Sequence, residues 1–169
     1  MQIKQTKIKD CYEIFTSKFG DQRGYFSRLY CKNILKKIKL KSIAQINTSF
    51  SSEKGTLRGM HYQKSPFQED KIVYCTSGEI YDVVLDIRKK SKTCGMWVSR
   101  KLSPKKGNAL IVPRGCAHGF LTLKKNTQIV YLVTNFYNSS KEGIIKYNNK
   151  KYNIKWPISI KVISKKDNL

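Results

Sequence analysis

The chain reads as short apolar or alternating runs broken by small polar turns. Residues 3–16 alternate weakly between apolar and polar side chains and predict one N-terminal strand. Phe19-Gly20-Asp21-Gln22-Arg23-Gly24-Tyr25-Phe26 holds two glycines that punctuate a turn ahead of a short extended run. Asn33–Ile38 puts Ile34, Leu35 and Ile38 at i, i+1 and i+4, the spacing of a short helix. Strand-like runs dominate from there. Lys71–Cys75 and Ile80–Ile87 flank Thr76-Ser77-Gly78-Glu79 and predict a hairpin. In the second run Tyr81, Val83, Leu85 and Ile87 share one face, and Ile80, Asp82, Val84 and Asp86 share the other. Two acids on a strand face usually mean solvent, or polar groups oriented in a wet pocket. Trp97–Ser99 and Ala109–Val112 are further strands. Phe120–Leu123 and Gln128–Val133 flank a polar turn at 124–127. Tyr131 shares its strand face with Ile129 and Val133; if that face is inward, its phenol needs a partner or a task. Many short strands and one weak helix predict an all-β sandwich or barrel.

Composition narrows the class. A chain of 169 residues without repeat, linker or low-complexity segment is read as one domain, 1–169. A domain near this size buries roughly 68–70% of its unfolded surface, enough for a real core. The chain has 34 Lys+Arg against 11 Asp+Glu, a formal charge of +23. Such a field attracts anions and binds nucleic acid without sequence preference. The lysines are scattered in pairs, from Lys36-Lys37 to Lys165-Lys166, which describes a solvated basic surface rather than a specific nucleic-acid interface. Five cysteines without a C-x-x-C favour reduced thiols in the cytosol. The N-terminus lacks a signal-peptide apolar run, and no window approaches a membrane span, so a cytoplasmic protein is expected.

Candidate chemistry gathers around the only two histidines. His61 lies in Thr56-Leu57-Arg58-Gly59-Met60-His61-Tyr62-Gln63, with the polar segment Gln45-Ile46-Asn47-Thr48-Ser49 shortly before it. His118 lies in Pro113-Arg114-Gly115-Cys116-Ala117-His118-Gly119-Phe120. Two histidines beside glycines, each on or near a strand-like run, predict one shared pocket.

Gly107 followed by five residues and Pro113-Arg114-Gly115-Cys116-Ala117-His118 resembles the second cupin motif. The first cupin motif normally offers an H-x-H pair and a later glutamate; here it reads His61-Tyr62-Gln63. Two histidines with no carboxylate close by in sequence make a poor site for Zn²⁺ or Fe²⁺, which take three or more protein ligands. The chain therefore resembles a cupin jelly roll, with a few short helices, that keeps a pocket and holds no metal. From about residue 8 to 167 the order and spacing of motifs resemble the dTDP-4-dehydrorhamnose 3,5-epimerase family. The carrying motifs include 19–26, 45–49, 57–63, 71–73, 78–88 and 111–120. They continue through Tyr131, Tyr137, Glu142-Gly143, Trp156-Pro157 and 164–167.

That resemblance implies a cofactor-independent epimerase acting at C3, C5 or both of a nucleotide-diphospho-4-keto-6-deoxysugar, feeding deoxysugars to cell-surface polysaccharide. It implies His61 as the base, oriented by Asp167; Lys71 beside the sugar O4; and Tyr131 as the acid on the opposite face. Arg23 and Arg58 match arginines facing the diphosphate. Gln45, Asn47, His118, Tyr137, Glu142 and Lys166 match pocket residues, and Arg28 stands near the nucleotide where the family commonly has glutamate. Ile46 replaces a usual aspartate, and 147–152 lacks the family's acids. The family's exchanged N-terminal segment implies a homodimer in which Arg23 serves the neighbouring subunit. Cys116 and His118 share a strand face as a nucleophile pair would, but the family has no catalytic cysteine there. The rival readings are a single-carbon epimerase on a different nucleotide sugar, and a silent cupin binding an anionic sugar.

Overall fold

The computed structural model describes residues 1–168. Fourteen strands are assigned: β1 (Gln2–Gln5), β2 (Tyr12–Phe15), β3 (Lys18–Asp21), β4 (Gly24–Ser27), β5 (Gln45–Ser51), β6 (Thr56–Gln63) and β7 (Lys71–Ser77), then β8 (Ile80–Asp86), β9 (Trp97–Leu102), β10 (Asn108–Val112), β11 (Cys116–Thr122), β12 (Thr127–Val133), β13 (Glu142–Ile144) and β14 (Val162–Ile163). Among the described residues helix is confined to α1 (Lys32–Leu35) and three single turns of 3-10 helix. One sheet runs β1-β2-β10-β7-β12-β5. The other runs β13-β6-β11-β8-β9, with β14 added parallel to β6. The two pack face to face as an all-β jelly-roll sandwich.

The expected strands form, with two corrections. Residues 3–16 make two antiparallel strands, β1 and β2, because the chain turns at Asp10, whose φ is +65°. Lys71–Ile87 is not a hairpin. β7 pairs β10 and β12, whereas β8 pairs β11 and β9 in the other sheet. The link between them crosses the sandwich at Gly78, where a Cβ would lie 2.3 Å from Thr127 Oγ1. Alternation identifies the faces of a strand and not its partner.

Apolar side chains pack on both faces of each sheet, except along edge strand β5, whose outer positions are exposed. Val73, Ile80, Val84, Phe120 and Ile129 meet between the sheets. Ile72, Tyr74, Ile111 and Leu132 lie under α1 and the N-terminal strands. Met60, Val83, Leu85 and Ala117 are roofed by the segment containing Ile154 and Trp156. At one end of the sandwich the inner faces turn polar, and there a cleft opens.

Candidate active site

The floor of the cleft comes from the first sheet. Direct pairing of Lys71 with Val133, Val73 with Tyr131, and Tyr131 with Asn47 puts these side chains on one face, since opposed residues in a ladder point the same way. β5 alternates cleanly. Gln45, Asn47 and Ser49 point in, while Ile46, Thr48 and Phe50 point out.

The opposite wall depends on a break in regularity. β11 sets Phe120 against Arg58 and His118 against His61, so two steps on β11 match three on β6. The extra residue is a β-bulge, and it brings Arg58 and His61 to the same face, which a regular strand would not do. Glycines permit it. Gly59 has φ +113°, and a Cβ there would sit 2.7 Å from both Gly119 Cα and His118 O.

Two histidine–aspartate pairs flank the cleft. His61 Nε2 lies 2.6 Å from Asp167 Oδ1, and Asp167 Oδ2 accepts from the Gly59 amide at 3.0 Å. The Asp167 side chain is 4% exposed and the His61 ring 30%, so the acid is buried and the ring reaches the cleft. With Nε2–H donated to Asp167, Nδ1 is the basic nitrogen. His118 Nε2 lies 2.7 Å from Asp82 Oδ1, and Asp82 is fully buried. Asp82 is a residue that sequence reasoning left undecided; its cue is an acid sharing a strand face with Ile80 and Val84.

Lys71 Nζ meets Glu69 Oε1 at 3.1 Å. Burial pushes the Tyr131 phenol up, the charge of Glu69 adds to this, and Arg58 opposes it. Arg58 donates to Phe50 O at 3.0 Å and lines the cleft. At the far rim Glu142 accepts from Lys166 and, at 3.0 Å, from the Tyr137 hydroxyl, while the Tyr137 amide donates to Gln45 Oε1 at 2.8 Å. Burial works to raise the Glu142 carboxyl, but Lys166 and Tyr137 outweigh it and hold the group below its ordinary range.

The cleft has two lobes, about 510 and 380 Å³, and His61, Lys71 and Tyr131 line both. Of the thirteen residues singled out from sequence, eleven lie along it, Arg23 and Arg28 excepted. Arg23 is 90% exposed on the β3–β4 hairpin, bound only to Asp21, and Arg28 lies over the Phe26 ring. Cys116 is directed into the core, where burial pushes its thiol up, so it makes no nucleophile pair with His118. Among the described residues no cluster of three or more His, Cys, Asp or Glu is arranged to hold a metal.

A family model described as dTDP-4-dehydrorhamnose 3,5-epimerase matches residues 5–169. The protein of that description from Sinorhizobium fredii is 40% identical over 169 residues, covering 99% of this chain and 87% of its own. A crystal structure of the Bacillus anthracis dTDP-4-dehydrorhamnose 3,5-epimerase with TDP and pyrophosphate bound superposes with a TM-score of 0.96 at 36% identity, covering 99% of this chain and 97% of that one. The Legionella pneumophila enzyme in complex with dTDP-4-keto-L-rhamnose gives 0.93 at 34%, covering 98% and 89%.

Proposed function

This chain belongs to the dTDP-4-dehydrorhamnose 3,5-epimerase family, and from that premise we propose that His61, Asp167, Lys71 and Tyr131 run its reaction. It is an epimerase of deoxysugar biosynthesis, inverting C3, C5 or both of a nucleotide-linked 4-keto-6-deoxysugar. A C–H bond beside a ketone is weakly acidic because the carbonyl oxygen can take the charge as an enolate. His61 Nδ1 removes that proton, and Asp167 stabilises the imidazolium that forms. The electron pair moves to the sugar O4, where the Lys71 ammonium balances it. Tyr131 then gives its phenolic proton to the opposite face of the same carbon, and the configuration inverts.

The observation that carries this assignment is the junction of the two lobes, where a carboxylate-held imidazole, an ammonium and a phenol face one space. Arg58 suits the diphosphate as a forked donor, and Gln45, Asn47, His118, Tyr137, Glu142 and Lys166 complete the substrate contacts. The test is solvent deuterium incorporation into dTDP-linked 4-keto-6-deoxysugars, read position by position. Label at C3 and C5 with inversion supports the assignment; wild-type protein that exchanges neither position sinks it.

Assembly and setting belong to the same proposal. Phe19, Tyr25 and Phe26 on the hairpin and Ile46 and Phe50 on the outer face of edge strand β5 are all more than half exposed. Such a surface fits a second copy of the chain, and a homodimer would carry Arg23 and Arg28 toward the neighbouring cleft. We read residues 1–169 as one domain, with one buried cluster between the two sheets and one against the outer side of each. No helix among the described residues is long and apolar enough to cross a membrane. The nucleotide-sugar substrate is a cytoplasmic metabolite class, which favours a cytoplasmic enzyme supplying cell-surface polysaccharide.

A further inference from the structure

Glu69 enters neither the base nor the acid of the proposed reaction, yet its carboxylate is 8% exposed inside the cleft. Its backbone is fixed from the next residue. Asp70 accepts from the amide and guanidinium of Arg114 and exchanges hydrogen bonds with Thr134. The backbone of Glu69 is thereby held, and so is that of Lys71, which pairs with both Val112 and Val133. An almost buried carboxylate costs free energy unless it is paired. Here its partner is the ammonium that faces the sugar carbonyl.

We propose that Glu69 is a positioning residue, whose carboxylate aims Lys71 Nζ at the cleft between His61 and Tyr131 and supplies a fixed negative charge beside that phenol. This rests on the assignment of Lys71 and Tyr131 above. A lysine has four flexible methylenes and three equivalent donors. The ion pair with Glu69 at 3.1 Å narrows where the ammonium can sit and leaves its N–H groups free for the developing enolate oxygen. Burial holds the phenol in its protonated form, as an acid must be, and the same charge adds to that hold. Arg58, His61 and Lys71 line the cleft with Tyr131, while β5 sets the neutral Asn47 directly against it. His118, Asp167, Lys166, Tyr62, Tyr137 and Glu142 line the same two lobes and are shared by all variants compared.

Glu69→Gln preserves shape and a hydrogen-bond acceptor and removes the charge. Without that charge the phenol ionises at lower pH, so the alkaline limb of kcat should move toward acid. Glu69→Ala removes the grip as well. Its kcat should fall by roughly 10-fold with little change in KM, short of the ~10²-fold that a misplacement of about 1 Å can cost. A readout independent of turnover is the tyrosinate absorbance titration of each protein minus its Tyr131→Phe counterpart. A lower midpoint in Glu69→Gln supports the proposal. An unmoved midpoint with an unmoved alkaline limb overturns it, even if Glu69→Ala fails to fold. Absence of exchange by the wild type would instead sink the epimerase assignment and leave the titration result standing.

Discussion

At the residue scale the cleft separates into groups whose loss should look different. His61→Asn should abolish both deuterium exchange and inversion. Tyr131→Phe should impair inversion while leaving exchange with retention, because His61 can still take and return a proton on its own side. General acid–base groups contribute roughly 10²–10⁴-fold, which sets the expected scale. Asp167→Asn should act on the same step as His61, more mildly. If Tyr131→Phe inverted substrate at the wild-type rate, the roles would be misassigned. Glu142 gives a pH signature. Its folded carboxyl is held below the ordinary range, so the tie to Lys166 stabilises the protein above that range and is lost as pH falls through the depressed value. The stability difference between wild type and Glu142→Gln, followed by denaturant melts, should therefore be constant near neutrality and vanish in acid. The sequence motifs carried His61, Asp167, Lys71 and Tyr131 because their spacing is distinctive. Asp82 escaped because its partner, His118, comes from another strand, which local patterning does not announce; Glu69 stands two residues before Lys71, a spacing at which extended residues share a face, but such a pair reads as an ordinary surface ion pair.

At the element scale, the decisive device is the bulge of β6 against β11. Both Gly59 and Gly119 face backbone, with no room for a Cβ: at Gly119 it would lie 2.8 Å from Met60 Sδ and 2.9 Å from Arg58 O. Gly59→Ala should cost roughly 2–4 kcal/mol, from an unfavourable φ and a backbone clash together. In whatever fraction folds, Arg58 and His61 should no longer share a face, so kcat should fall further than stability explains. Chemical denaturation beside kinetics would separate the two effects. The strands themselves were legible because their runs are short, β-branched and punctuated. Their pairing was not. β7 and β8 are buried on both faces, so the alternation that marks an outer surface is erased, and a four-residue link containing glycine looks the same whether it closes a hairpin or crosses between sheets.

For the whole molecule, charge and assembly set the behaviour in solution. The +23 surface should bind duplex DNA weakly, with affinity falling steeply as salt rises; sequence-selective binding at physiological salt would contradict this. Sedimentation at micromolar concentration should give a dimer, and a fully active monomer would count against the crossing of Arg23. The last consequence follows from how Asp167 arrives. It reaches His61 from 106 positions away, on a final segment that holds β6 by two paired residues and Glu142 by one lysine, and whose side chains are otherwise mostly exposed. Segments with few buried contacts open at less free energy than the core does. On heating, then, the base should come apart while the sandwich is still intact. Exchange activity should fade at a lower temperature than the loss of β-sheet circular dichroism, and should return on cooling from that interval, so the heat tolerance of catalysis is a property of residues 162–168 and not of the sandwich that carries them.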